Sequence, residues 1–485
     1  MIMISAKKTT ITKDSFCSLF MSCAMALFIL FSGCKKLVEV PSPSSTVDIE
    51  NVYNDDVTAA AVLNGMYTEL SLRPGLEVTS SAFLSVAPGL SADELTLFAN
   101  NDSYIDYYRN SLNANSVNNV LYWSAGYHRC YASTVAIEGL TKADKLTPDL
   151  RRQLLGQAYF LRAFQFFYLT SLYGDVPLPL TSNYKVNELL PRAPSEEVMN
   201  QVIADLRTAE TLVSENYIDV KGKKETSTRI TPNKAAVQAM LARAYLFKSD
   251  YQNAEKCATA VINQTSRYKL VPLDEVFLAN SSEAIWQLQP VINGANTQDG
   301  LIFILPSSGP GDSYPFLLDN QLAVSFSVND LRKKKWVGTW TDGTQTVNYP
   351  FKYKIGNLGE PVTEFKMVLR LAEVYLIRAE ALARLGRIEE SKTDLNAIRS
   401  RAGVASVTAT NQQAVIDDII NERRLELFTE WGDRWFTLKR TGIIDQVMPG
   451  VSVRKASSWN SNWQRYPIPK RDRDLNPNLS QNAGY

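Results

Sequence analysis

Residues 151–173 constrain the fold more than any other stretch of the chain. At helical spacing Leu154, Ala158, Leu161, Leu169 and Leu172 share one face, and Leu155, Tyr159 and Phe166 share a second. Phe160, Phe164 and Phe167 form a third. A helix that is apolar all round has to be enclosed by other elements rather than laid on a surface. Gly174 suits the C′ position after it, and Pro177 prevents continuation. The rest of the chain must therefore wrap a central helix.

Helices suited to that task follow. Thr231 and Pro232 read as the N-cap and first-turn proline of a helix carrying Leu241, Ala242 and Tyr245 on one stripe. Ser249-Asp250 makes a turn, and Ala254 and Ala258 come after it. This order of small and large residues is that of a tetratricopeptide hairpin, in which small residues let two antiparallel helices approach closely. A second copy is spelled by Tyr375, Ala379, Leu382, Gly386, Leu395 and Ile398. There Leu371, Val374, Tyr375, Leu382 and Leu385 line one face and Ala372, Leu376, Ala379 and Ala383 another. Two apolar faces suit a helix packed between its partner and the next repeat. A last strong helix is expected over about Val415 to Lys439. Residues 271–353, rich in Gly, Pro, Asn and Ser, and residues 82–116 read as irregular. The expected fold is mainly α: tetratricopeptide-like helical repeats supporting a loop-rich ligand-binding face with few short strands.

The N-terminus reads as an export signal. Lys7, Lys8 and Lys13 precede an apolar run from Leu19 to Phe31, which is short of the ~20 residues a membrane span needs. Leu30-Phe31-Ser32-Gly33-Cys34 then looks like a lipobox, with Phe31 where leucine is usual, so Cys34 is the expected lipidation site. An ordinary signal peptide that happens to contain a cysteine is the alternative. The expected boundaries are a leader over 1–33, a lipidated N-terminus and flexible tether over 34–60, and one helical body over 61–485, with halves at about 61–275 and 276–485. Pro41, Ser42, Pro43, Ser44 and Ser45 supply the tether.

Charge and cysteine usage exclude several classes. Loss of three lysines and Asp14 with the leader takes the balance from 51 basic against 50 acidic residues to 48 against 49. Such a chain has no global field for nucleic acid or an anionic membrane surface. Membrane attachment would come through the lipid alone. Cys130 and Cys257 sit in helical patterns and make no disulfide framework, so both read as buried small hydrophobes.

Catalytic motifs are sparse. His128 is the only histidine, so no triad or two-histidine metal site can be built. Its helical neighbours Tyr127, Cys130 and Tyr131 suggest a hydrogen-bonded structural role. No GxSxG elbow, Walker loop or dinucleotide fingerprint is present. Arg423, Arg424, Glu426, Glu430, Asp433 and Arg434 crowd one short stretch with Trp431 and Trp435. They are expected to be architecture, with Arg423 pairing Glu426 and Glu430 pairing Arg434 along a helix. No catalytic residue, metal or cofactor is expected. Glycoside hydrolysis, needing only two carboxylates ~5 to 10 Å apart, stays open as a lesser alternative.

Several long blocks resemble the SusD/RagB family. They are QAYFLRAFQFFYLTSLYGDVPLPL over Gln157–Leu180, FKMVLRLAEVYLIRAEALARLG over Phe365–Gly386, and NERRLELFTEWGDRWFTLKRTG over Asn421–Gly442. Tyr466-Pro467-Ile468-Pro469 and Asn476 to Asn482 resemble its closing motif, and Phe365–Gly386 resembles its inner repeat helix. The resemblance implies a lipoprotein of the outer membrane, lidding a SusC-like TonB-dependent transporter. It implies an oligosaccharide ligand, or a peptide in some members, and no catalysis.

The family's ligand face is built by loops from about two regions, and both are rich in aromatics here. A flat ring stacks on the C–H face of a sugar while amides and acids meet its hydroxyls. Residues 99–119 offer Asn100, Asn101, Tyr104, Tyr107 and Tyr108; residues 307–320 offer Asp312, Tyr314 and Phe316. Trp336 and Trp340, after a family-like Asp330-Leu331-Arg332, are expected to be structural.

Overall fold

The computed structural model describes residues 52–71, 82–98 and 103–485, and helix dominates them. The longer elements of the first half are α1 Asp56–Ser71, α2 Phe83–Ser91, β1 Leu95–Leu97, α3 Val117–Lys142, α4 Pro148–Tyr173, α5 Ser195–Leu212, α6 Lys234–Phe247 and α7 Tyr251–Ile262. The second half runs β2 Ala284–Leu288, β3 Phe316–Leu318, β4 Val337–Thr341, β5 Thr346–Pro350, β6 Lys366–Arg370, α8 Leu371–Arg384, α9 Ile388–Arg401, α10 Gln412–Glu426, α11 Asp433–Arg440 and α12 Ile444–Arg454. Tyr53–Tyr485 form one compact unit. Helix α1 begins at Asp56, within the stretch read as tether. The leader and Cys34 lie outside the described residues. Among the described residues no helix is long and apolar enough to cross a membrane.

Helix α4 is enclosed as its pattern demands. It packs between α3 and α5, and Arg162 on its interior pairs with Asp205 of α5 at 2.7 Å. Phe164 meets Trp286 of β2 and Trp431 edge-on, at centroid distances of 5.3 and 5.4 Å. Gly174 ends the helix at φ +76°, its amide donating to the Thr170 carbonyl. The hairpins α6–α7 and α8–α9 form as expected, and α7 packs on α8 to join them. Ala372, Leu376, Ala379 and Ala383 of α8 sit in one cluster with Leu395, Ile398 and Val415. This layering is consistent with tetratricopeptide stacking. Both cysteines are buried and free, as read.

Several local expectations need correction. Helix α6 is capped by Asn233, whose side chain accepts from the Ala236 amide at 3.0 Å, so Pro232 lies ahead of the cap. Lys366–Arg370, read as helix with the residues after it, is a strand paired antiparallel to Ala284–Leu288. Residues 83–91, read as irregular, form a wholly buried helix despite Pro88. The expected helix over Val415–Lys439 breaks at Leu427–Gly432, where Thr429, Trp431 and Gly432 all adopt positive φ. That break drives Trp431 into the core, where its indole N–H donates to the Met367 carbonyl at 2.7 Å. His128 is exposed on α3, with its Nε2 3.6 Å from Glu69.

The acid–arginine segment is architecture, but its pairs cross between elements rather than run along a helix. Arg423 pairs with Asp433, and Arg434 with Asp93. Glu426 takes Arg370 at 2.6 Å and Arg332 at 3.0 Å, while Glu430 takes Arg370 at 2.8 Å. Ions this deep are tolerated because each is met by several opposite charges and hydrogen bonds.

Candidate ligand-binding site

The two aromatic segments are brought together by a short sheet. Strand β1 pairs antiparallel with β3, setting Leu95 opposite Leu318 and Leu97 opposite Phe316. The ladder continues outwards: Phe98 donates to the Pro315 carbonyl at 2.7 Å, and Asp319 to the Glu94 carbonyl at 2.8 Å. Leu and Phe side chains fill the buried side of these strands, so the register is pinned by burial.

The Asn421–Gly442 block holds this sheet from beneath. Asp93, just before β1, is gripped by Arg434 at 2.7 Å and Arg424 at 3.0 Å. Burial would raise its pKa, but the two guanidiniums outweigh it and hold the carboxyl at about 2. Glu94 beside it accepts from the Thr429 amide at 3.3 Å and forms no ion pair among the described residues, with Lys352 acting on it only from a distance. Burial first, and the Asp93 charge second, push Glu94 up to about 8, so it is a neutral acid at pH 7.

Beyond this root the candidates separate. Tyr104 is partly exposed, its ring edge-on to Phe316 at 4.9 Å. Tyr108 is partly exposed, with the Lys455 ammonium 5.2 Å from its ring centre. Tyr314 is partly exposed and Asp312 exposed, on a tight turn closed by the Tyr314 amide and the Gly311 carbonyl at 3.0 Å. Asn100 and Asn101 lie outside the described residues. Two candidates are core residues instead. Tyr107 is 1% exposed, packed edge-on against Phe83 at 5.7 Å and Tyr466 at 5.5 Å. Phe316 is buried against Tyr104 and Phe303. Neither ring presents a face to solvent.

Trp336 is buried and donates to the Leu273 carbonyl at 3.0 Å, a structural role as expected. Trp340 differs in exposure. It is partly exposed on β4, and its indole N–H donates to the Ser307 carbonyl at 3.0 Å. Gly309 lies flat against the indole, where a Cβ would come within 2.4 Å of the ring. Trp340 therefore supports the 307–314 loop, in keeping with the structural role expected of it. Its Gly-rich partner loop was the available sequence signal.

The arrangement offers, among the described residues, the half-exposed rings of Tyr104, Tyr108 and Tyr314 and the exposed Asp312 on two segments joined by the β1–β3 ladder. Among the described residues no group of three or more His, Cys, Asp or Glu is placed to hold a metal ion.

The chain belongs to the SusD/RagB family. Residues 340–485 match the family described as SusD family, and residues 49–246 match one described as starch-binding, associating with the outer membrane. The chain is 25% identical to SusD-like protein P2 of Formosa agariphila, an alignment covering 95% of this chain and 98% of that protein. It is 28% identical to the starch-binding protein SusD of Bacteroides thetaiotaomicron over 51% of this chain and 41% of that one. A crystal structure of a SusD superfamily protein from Bacteroides vulgatus superposes with a TM-score of 0.77 at 20% identity, covering 89% and 99% of the two chains, and shows the shared fold.

Proposed function

We propose that the protein is an outer-membrane lipoprotein, anchored through Cys34, that binds an oligosaccharide and passes it to a SusC-like TonB-dependent transporter without chemical change. The observation that carries this reading is the β1–β3 pairing, which sets the two aromatic loops side by side. Tyr104, Tyr108, Tyr314 and Trp340 would stack on sugar rings, and Asp312, with Asn100 and Asn101, would meet hydroxyls. The starch-binding name of one relative and the outer-membrane association of a matching family support the ligand class and the location.

Calorimetric titration of a neutral glycan panel tests it. A binding glycan should lose at least tenfold affinity in Tyr104→Ala/Tyr314→Ala, with the melting temperature retained and no shortened product after long incubation. Unchanged affinity rejects the site, and product formation rejects the non-catalytic reading. Binding confined to peptides rejects the sugar assignment.

A further inference from the structure

A second cleft, sharing no lining residue with the aromatic loops, opens at the C-terminal end of the central helix. Its volume is about 400 Å³, within the range of small-molecule sites. It forms where the C-terminal end of α4, the first turn of α5, and the last turns of α6 and α11 meet residues 464–465. Phe247 and Phe436 supply apolar wall; Ser195 and Gln464 supply a hydroxyl and an amide.

Its charges are unbalanced. Arg440 is neutralised by Glu380, with both hydrogen bonds at 2.6 Å, and Lys248 is matched by Glu196 at 3.7 Å. Lys439 and Arg465 have no such partner. Lys439 donates one hydrogen bond, to the Ser171 carbonyl, and among the described residues neither cation pairs with a carboxylate. The Arg465 stem lies against Gly174, where a Cβ would come within 3.0 Å of it, so the glycine leaves room for the guanidinium at the cleft. Burial, with Arg465 adding to it, pushes the Lys439 ammonium down to about 7. The Lys439 ammonium and the exposed Arg465 guanidinium line one concave, partly apolar cleft, and an incoming anion would relieve their mutual repulsion.

We propose that this cleft is a second ligand site, which takes a carboxylate-bearing sugar of one or two rings, of the uronic-acid type. The carboxylate would lie between Lys439 and Arg465, and the ring against Phe247 or Phe436. The choice of a sugar acid rests on the glycan reading above; the demand for an anion does not.

The test titrates the full-length protein with sodium galacturonate, digalacturonate, galactose and sodium sulfate. Galacturonate should bind, and Arg465→Gln or Lys439→Met should weaken it about tenfold with the melting curve preserved. Affinity should fall between pH 6 and 8.5 as Lys439 loses its proton, a dependence absent from Lys439→Met. Tyr104→Ala/Tyr314→Ala should leave this binding intact, which separates it from the loop site. No binding of galacturonate by the wild type, or equal binding by both cation variants, overturns the proposal. Sulfate binding as tightly as galacturonate overturns the sugar-acid class.

Discussion

Arg434 holds Asp93 through two hydrogen bonds, 2.7 Å from Nε and 3.0 Å from Nη2, with both side chains buried. The pair joins α11 to the residue that launches β1, and so ties the C-terminal charge cluster to the root of the aromatic loops. Removing the guanidinium strands a buried carboxylate with Arg424 alone. Arg434→Met should lose about 3–5 kcal/mol of stability in urea unfolding. Adding Asp93→Asn to it should recover part of that loss, and a double variant no better than the single contradicts the pairing.

Glu94 makes stability depend on pH in the opposite sense to Asp93. Its folded-state value of about 8 lies above its ordinary 4.5, so the native state binds the proton more tightly than the unfolded chain. Its contribution is fully present below pH 4.5 and is lost as pH rises through about 8. The wild type should lose stability across that window relative to Glu94→Gln, by up to ~1.4 kcal/mol per pH unit. Parallel curves for the two proteins between pH 5 and 8 sink this account.

Tyr107 and Tyr314 should behave as opposites. Tyr107→Ala opens a hole beside Phe83 and Tyr466 and should destabilise by about 3–5 kcal/mol. Its hydroxyl is buried and has no partner among the described residues, so Tyr107→Phe should be neutral or stabilising. Tyr314→Ala should move the unfolding midpoint by less than about 0.5 kcal/mol and act on glycan affinity. A reversed pattern in thermal melts refutes the division into core and rim.

Gly309 occupies φ +85° with its Cα against the Trp340 indole. An alanine there meets both the steric cost of that backbone region, about 1–2 kcal/mol, and the ring itself. Gly309→Ala should displace the loop and weaken glycan binding, and restoring room with Trp340→Ala should not restore affinity, because the indole supports the loop. Wild-type affinity in Gly309→Ala argues that this loop does not contact the ligand.

Much of the scaffold could be read from residues alone, because a helix apolar on every side and the α8–α9 hairpin leave few alternatives. The break at Leu427–Gly432 could not. Gly432 hints at it, but Thr429 and Trp431 are poor residues for positive φ and adopt it only because the core takes the indole. Local spacing also named the wrong charge partners. Glu426 finds Arg370 at 56 positions' remove, which no i,i+4 rule can see. Within the candidate loop, Tyr104, Tyr107 and Tyr108 are one residue type inside a single turn. Only the neighbours Phe83 and Tyr466, distant in sequence, decide which ring turns inward.

The β1–β3 ladder spans only a few residues on each strand, and the buried ions seize it below Phe98 and Pro315. Past those two residues Tyr107 still packs into the core, whereas Tyr104 and Tyr314 are partly exposed and stand outside the ionic lattice, like fingers from a fixed palm. Substitutions at those two fingertips should therefore leave the wrist intact, and if the loops hold the ligand, a menu of cargoes becomes accessible to one chassis by surface changes alone.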